Sequence, residues 1–102
     1  MESKELIQLD LFCKHHEIEL TFLNALHEMG LIEIVSHREN RFLETERLPE
    51  IEKMIYWHYE LDINLEGIDT IIHLLGKMNH LQQELTLLKN RLSLYENESE
   101  AF

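Results

Sequence analysis

The stretch from Ile71 to Tyr95 limits the possible folds more than any other part of the chain. Ile71, Leu74, Met78, Leu81, Leu85, Leu88, Leu92 and Tyr95 follow one another at alternating spacings of three and four residues. An unbroken alternation of that kind is the a/d seam of a long helix that lies against a second helix. Ile68, Ile72 and Leu75 add a second apolar edge to its first half, suited to packing on the chain's own domain. Beyond Leu81 that domain has run out, so the rest of the seam needs a partner helix. The eight seam side chains, at about 1.5–3 kcal/mol each when buried, outweigh the residual stability of a small domain. A homodimer through this helix is the simplest solution and an antiparallel pair the favoured one. A helix folded back on its own domain is the alternative.

With 102 residues, 44% of them hydrophobic, and only three glycines and one proline, the chain holds one small, mainly α domain. The formal net charge is −11, with nine Lys and Arg against twenty Asp and Glu. DNA binders gather cations on one face because neutralised phosphates supply much of their affinity. The acidic balance argues against DNA and suits a cationic protein partner; a solvated surface kept for solubility is the plainer reading. Cys13 is the single cysteine, which excludes an internal disulfide and a cysteine metal cage. Met1-Glu2-Ser3-Lys4-Glu5 lacks the basic start and apolar run of an export signal, and no apolar stretch is long enough for a bilayer. A cytoplasmic location is expected.

Shorter signals order the first 70 residues. Asp10 suits the N-cap of a short helix holding Leu11, Phe12 and Cys13, with His15-His16-Glu17 as its turn. A second helix from Leu20 to Met29 carries Phe22, Leu23, Leu26 and Met29 at helical spacing, and Gly30 ends it. Two short helices on a tight turn predict a helix-turn-helix. Leu31, Ile32, Ile34 and Val35, then Arg41-Phe42-Leu43 after a polar stretch, predict a hairpin wing turning at Glu39-Asn40. Pro49 opens a helix carrying Ile51, Met54, Ile55, Trp57, His58 and Leu61, with Trp57 as a core anchor. Asp62-Ile63 breaks it, and Asn64 caps the long helix. The expected domains are a winged helix-turn-helix over 1–70, a coiled-coil dimerisation helix over 71–95, and an acidic, flexible tail over 96–102.

This order of elements resembles the MerR family over nearly the whole chain. Gly30-Leu31-Ile32 resembles that family's Gly-Leu turn, and Leu61-Asp62-Ile63-Asn64-Leu65-Glu66-Gly67-Ile68 resembles the segment leading into its dimer helix. The closer likeness is to one branch of that fold, the chaperone modulators of the CbpM type. Leu11-Phe12-Cys13-Lys14-His15, Leu61-Asp62 with Gly67-Ile68, and Leu81-Gln82-Gln83-Glu84 with Leu88 to Leu92 are similar to theirs. The resemblance implies a mainly α, MerR-like winged helix-turn-helix with a small β-hairpin wing and a long C-terminal dimerisation helix. It also implies a protein that binds and inhibits the J-domain of a DnaJ- or CbpA-like co-chaperone, keeping it from its DnaK partner. The alternative is a MerR-family transcriptional regulator that still binds DNA.

The departures from the DNA-binding members are specific. Phe22, Leu23, Asn24, Ala25 and Leu26 stand where those members carry a Thr-Leu-Arg-Tyr-Tyr-like run facing the phosphates and the groove. No Lys or Arg lies between Lys14 and Arg38, and Glu17, Glu19 and Glu28 surround the second helix, where each would repel a phosphate. Arg38 and Arg41 on the wing remain as the candidate DNA contacts of the alternative reading. Glu50, Glu52, Glu60, Asp62, Glu66 and Asp69 lie in a stretch with a single cation, Lys53. The resemblance implies that J-domains present a basic helix to their partners, so these six acids form the candidate docking face. An ordinary wet helix surface is the plainer reading, and Glu17, Glu19 and Glu28 form the second candidate surface.

No cofactor or metal is implied. His15 and His16 are adjacent and diverge on a helix, and His73 and His80 are separated by about 10 Å of helical rise, too far for one ion. Cys13 among Leu11 and Phe12 reads as a small buried hydrophobe and not as a nucleophile. No Gly-rich phosphate loop and no nucleophile elbow appears, so no enzyme is expected.

Overall fold

Leu9, Phe12 and Cys13 recur at the spacing of one helical face, and they are the residues that helix α1 (Leu9–His16) turns inward. The protein is described here by a computed structural model covering residues 4–100, with side-chain exposure over 4–97. A strand β1 (Leu6–Gln8) precedes α1; helix α2 (Leu20–Glu28), strands β2 (Val35–His37) and β3 (Asn40–Glu44), a 3₁₀ turn over Thr45–Arg47, and helices α3 (Leu48–Tyr59) and α4 (Leu65–Glu100) follow. The chain divides into two units, one ending at Asp69 and the other beginning at Thr70.

The N-cap of α1 is Gln8, and Asp10 lies in the first turn instead of capping it. The helix starts early because β1 pairs as far as Gln8 and the next residue, Leu9, is fully buried. In the first turn the Asp10 carboxylate still favours the helix dipole. Glu17 closes α1 in a left-handed conformation (φ 54°), its N–H donating to Lys14 O at 3.3 Å. Ile18 N–H then donates to Cys13 O at 3.0 Å. Helix α2 buries Phe22, Leu23 and Leu26, and Gly30 stops it at φ 77°, where a side chain would be strained.

The wing belongs to a three-stranded antiparallel sheet in the order β1-β3-β2. Leu6 pairs with Glu44, Ile7 with Leu43 and Gln8 with Phe42, while Val35, Ser36 and His37 pair with Phe42, Arg41 and Asn40. Sequence reading missed β1 because three residues are too few to show an alternation. The turn is Arg38-Glu39, one residue earlier than expected, with φ of 48° and 68°. A two-residue hairpin turn that follows the strand twist requires positive φ at both positions. Glycine or asparagine usually marks such a site, and neither stands at 38 or 39.

The core of the first unit contains Leu9, Phe12, Cys13, Phe22, Leu23, Leu26, Ile32, Leu43, Ile51, Met54 and Ile68. Among the described residues no polar or charged side chain is buried with them. Trp57, expected as an anchor, is only half-buried; Ile51 and Met54 are the side chains of α3 that enter the core. Asn64 caps α4 as its position predicts, its Oδ1 accepting Gly67 N–H at 2.8 Å. A Cβ at Gly67 would stand 2.7 Å from Ile63 Cγ2, so only glycine admits this close approach. Replacing Asn64 by Ala leaves the Gly67 N–H without its acceptor and is expected to lower stability by about 1 kcal/mol. Urea unfolding measures it; an unchanged midpoint would show that the cap contributes nothing.

Of the residues expected as a tail, 96–100 are helical in backbone as the end of α4, and 101 and 102 lie outside the described residues.

Candidate protein-docking site

Helix α2 and the wing make up the surface with which a helix-turn-helix would meet DNA. Phe22, the first residue of the run singled out in α2, is buried, with its ring stacked on His58 at 4.4 Å between centroids and edge-on to Tyr59 at 5.4 Å. Leu23 and Leu26 are buried as well, which leaves Thr21, His27 and Glu28 exposed on α2. Glu17 and Glu19 are exposed just before it. Arg41 Nη1 donates to Asn24 Oδ1 at 2.8 Å, a part-buried contact that turns this wing cation onto its own α2. Arg38 remains exposed in the turn.

The six acids proposed as a docking face do not share one face. Glu50 and Glu52 lie near the start of α3 and point about 160° apart around it. Glu50 also pairs with Arg47 at 3.7 Å. Glu60 and Asp62 lie about 15 Å further along, at the end of α3 and in the turn after it. Glu66 is exposed and Asp69 half-buried in the first turns of α4. Sequence reasoning missed the exposed apolar residues that share this stretch: Tyr56 (54% exposed), Tyr59 and Leu61 (51%). Aromatic residues at helical spacing read as core, and only burial distinguishes the two cases.

In the second unit, Leu74, Met78, Leu81, Leu85, Leu88, Leu92 and Tyr95 are 45–73% exposed in the single chain. Ile71 is half-buried. Of the second apolar edge, Ile68 is fully buried, Ile72 half-buried and Leu75 exposed. Leu87 and Leu94 are exposed beside the seam, off the a/d register.

Cys13 is buried on the inner side of α1. Burial pushes its thiol pKa up, the nearby Asp10 carboxylate adds to that, and Arg41 opposes it. The neutral thiol is therefore favoured, opposite to the activation a nucleophilic cysteine needs. Among the described residues no three His, Cys, Asp or Glu side chains converge to hold a metal ion. His80 Nε2 instead faces Glu84 Oε1 at 3.3 Å. Among the described residues no helix is long and apolar enough to cross a membrane.

A helix-turn-helix, a small wing, a proline-started helix and a long terminal helix together define a winged helix-turn-helix protein. The chain belongs to the MerR helix-turn-helix family: the family model described as MerR HTH family regulatory protein matches residues 7–90. Among its relatives is a chaperone modulatory protein CbpM of Pseudomonas entomophila (strain L48), 24% identical over 98 residues, covering 93% of this chain and 97% of the relative. Another, a chaperone modulatory protein CbpM of Pseudomonas putida (strain W619), is 26% identical with the same coverage. No solved structure matches the chain.

Proposed function

We propose that the chain is a chaperone modulator, a cytoplasmic homodimer paired through α4, that binds and inhibits the J-domain of a DnaJ- or CbpA-like co-chaperone. The observation that carries this reading is the conversion of the α2 surface. Of the run that stands where DNA-binding members carry theirs, Phe22, Leu23 and Leu26 are buried; Glu17, Glu19 and Glu28 are exposed around it, and the wing's Arg41 is held by Asn24. A helix so surrounded repels a polyanion and attracts a cationic polypeptide. The names of the CbpM relatives support a chaperone client over an operator. The mechanism is occlusion: an acidic, partly apolar surface covers the basic helix through which the J-domain engages DnaK. No covalent chemistry is involved.

Titration of the full chain with the purified J-domain of the host's DnaJ-like protein tests this reading. Saturable binding that competes with DnaK is expected, together with no shift of duplex DNA at low salt. Absence of J-domain binding rejects the chaperone assignment. Sequence-selective DNA binding that weakens steeply with salt would establish the transcriptional regulator in its place.

A further inference from the structure

Acidity is spread over much of the first unit, whereas its exposed apolar side chains are concentrated. Among the described residues of that unit, the exposed large hydrophobics are Leu6, Leu11, Met29, Tyr56, Tyr59 and Leu61. Half of them fall within Tyr56–Leu61. Along α3 and its C-cap, Glu52, Tyr56 and Glu60 recur every fourth residue and so stand in one ridge about 12 Å long. All three are exposed, and so is Lys53 beside them.

The turn that continues this ridge is braced. The N–H groups of Glu60 and Leu61 both donate to Tyr56 O, at 2.9 and 3.3 Å, and Ile63 N–H donates to Trp57 O at 2.9 Å. His58 Nδ1 lies 2.9 Å from Ile63 O; since a carbonyl only accepts, Nδ1 carries the proton. The His58 ring is itself stacked on the buried Phe22. Asp62 takes the left-handed conformation (φ 55°), which aspartate tolerates better than most residues. Leu61 is thus held out in water by a fixed backbone and contributes little to its own core. A preorganised apolar group of this kind lowers the ordering cost of docking.

We infer that Glu52, Tyr56, Glu60, Leu61 and Asp62 form the docking surface for a basic, amphipathic helix of the protein partner. This rests on the chaperone-modulator reading above and narrows its six-acid face. Glu50 turns to another side of α3 and pairs with Arg47, and half-buried Asp69 is not needed. Tyr56 and Leu61 cover the apolar side of the incoming helix, while the three carboxylates pair with its Lys and Arg. A tyrosine ring also receives a cation on its face. Charge selects this occupant: a second copy of the chain, at −11, would bring acids against acids, and nucleic acid would bring phosphates.

The test is calorimetric titration of full-length variants with the same J-domain. Tyr56→Ala and Leu61→Ser are each expected to lower affinity by about tenfold or more. Both residues are more than half exposed, so unfolding midpoints should be retained. Lys53→Glu removes a cation beside the ridge and is expected to tighten binding by roughly twofold to fivefold, an effect that fades with salt. Wild-type binding left intact by Tyr56→Ala, Leu61→Ser and Lys53→Glu alike would overturn this surface and leave the modulator reading standing. Weaker binding by Lys53→Glu would likewise overturn it, since the face would then be receiving an anion. A wild-type chain that does not bind the J-domain removes both.

Discussion

Replacing Leu85 and Leu88 together with glutamate is expected to convert the proposed homodimer to a monomer. Both lie in the middle of the α4 seam and are 45% and 60% exposed in the single chain, so neither supports the core of the first unit. Each leucine buried in a helix pair contributes about 1.5–3 kcal/mol. A symmetric dimer loses each one twice, so pairing weakens by at least about 6 kcal/mol, roughly four orders of magnitude in dissociation constant. Sedimentation equilibrium reads the halved mass directly. Far-UV circular dichroism should fall with it, because a helix without tertiary contacts is marginal in water. Chemical unfolding of the first unit should be little altered. A monomeric wild type, or a double variant that keeps the dimer mass, would refute pairing through this seam.

The second large effect concerns the core beneath the proposed docking surface. Leu23 is fully buried in α2. Leu23→Ala is expected to cost about 2–5 kcal/mol, from lost transfer free energy plus the cavity left behind. Small domains have only about 5–15 kcal/mol in total, so the variant should be substantially unfolded under mild denaturant. Leu11→Ala, on the exposed side of α1 (58% exposed), should change stability by less than about 0.5 kcal/mol. Urea unfolding followed by the fluorescence of Trp57, the only tryptophan, compares the two. Equal effects at the two positions would contradict the packing described here.

These two predictions draw on opposite kinds of leucine, and that contrast explains what could be read in advance. Helical spacing located α2 to within a residue, the proline start of α3, and α4 from its Asn64 cap as far as Tyr95, because each rests on interactions within a few residues of one another. Asn64 was legible as a cap for the same reason: its acceptor reaches an N–H three residues on. The acidic surround of α2 was equally visible, since charge is a property of composition and needs no fold to be counted.

What the folded chain alone decided was long-range. Strand β1 exists because Leu6–Gln8 finds β3 more than thirty residues away, and no local pattern announces such a pairing. Arg41 meets Asn24 across the wing and α2, and this contact, invisible in either segment, takes a candidate DNA-binding cation out of the surface. Tyr56 and Leu61 carry the same apolar signal as Ile51 and Met54, yet the first pair faces water and the second the core. Periodicity states which residues share a face; only the packing of α1, α2, β3 and α3 against one another states which face is covered. The sequence by itself therefore determined the helices, the seam and the sign of the charge, which are local or additive. The tertiary structure decided which apolar groups were left exposed, because burial depends on neighbours brought together from distant parts of the chain.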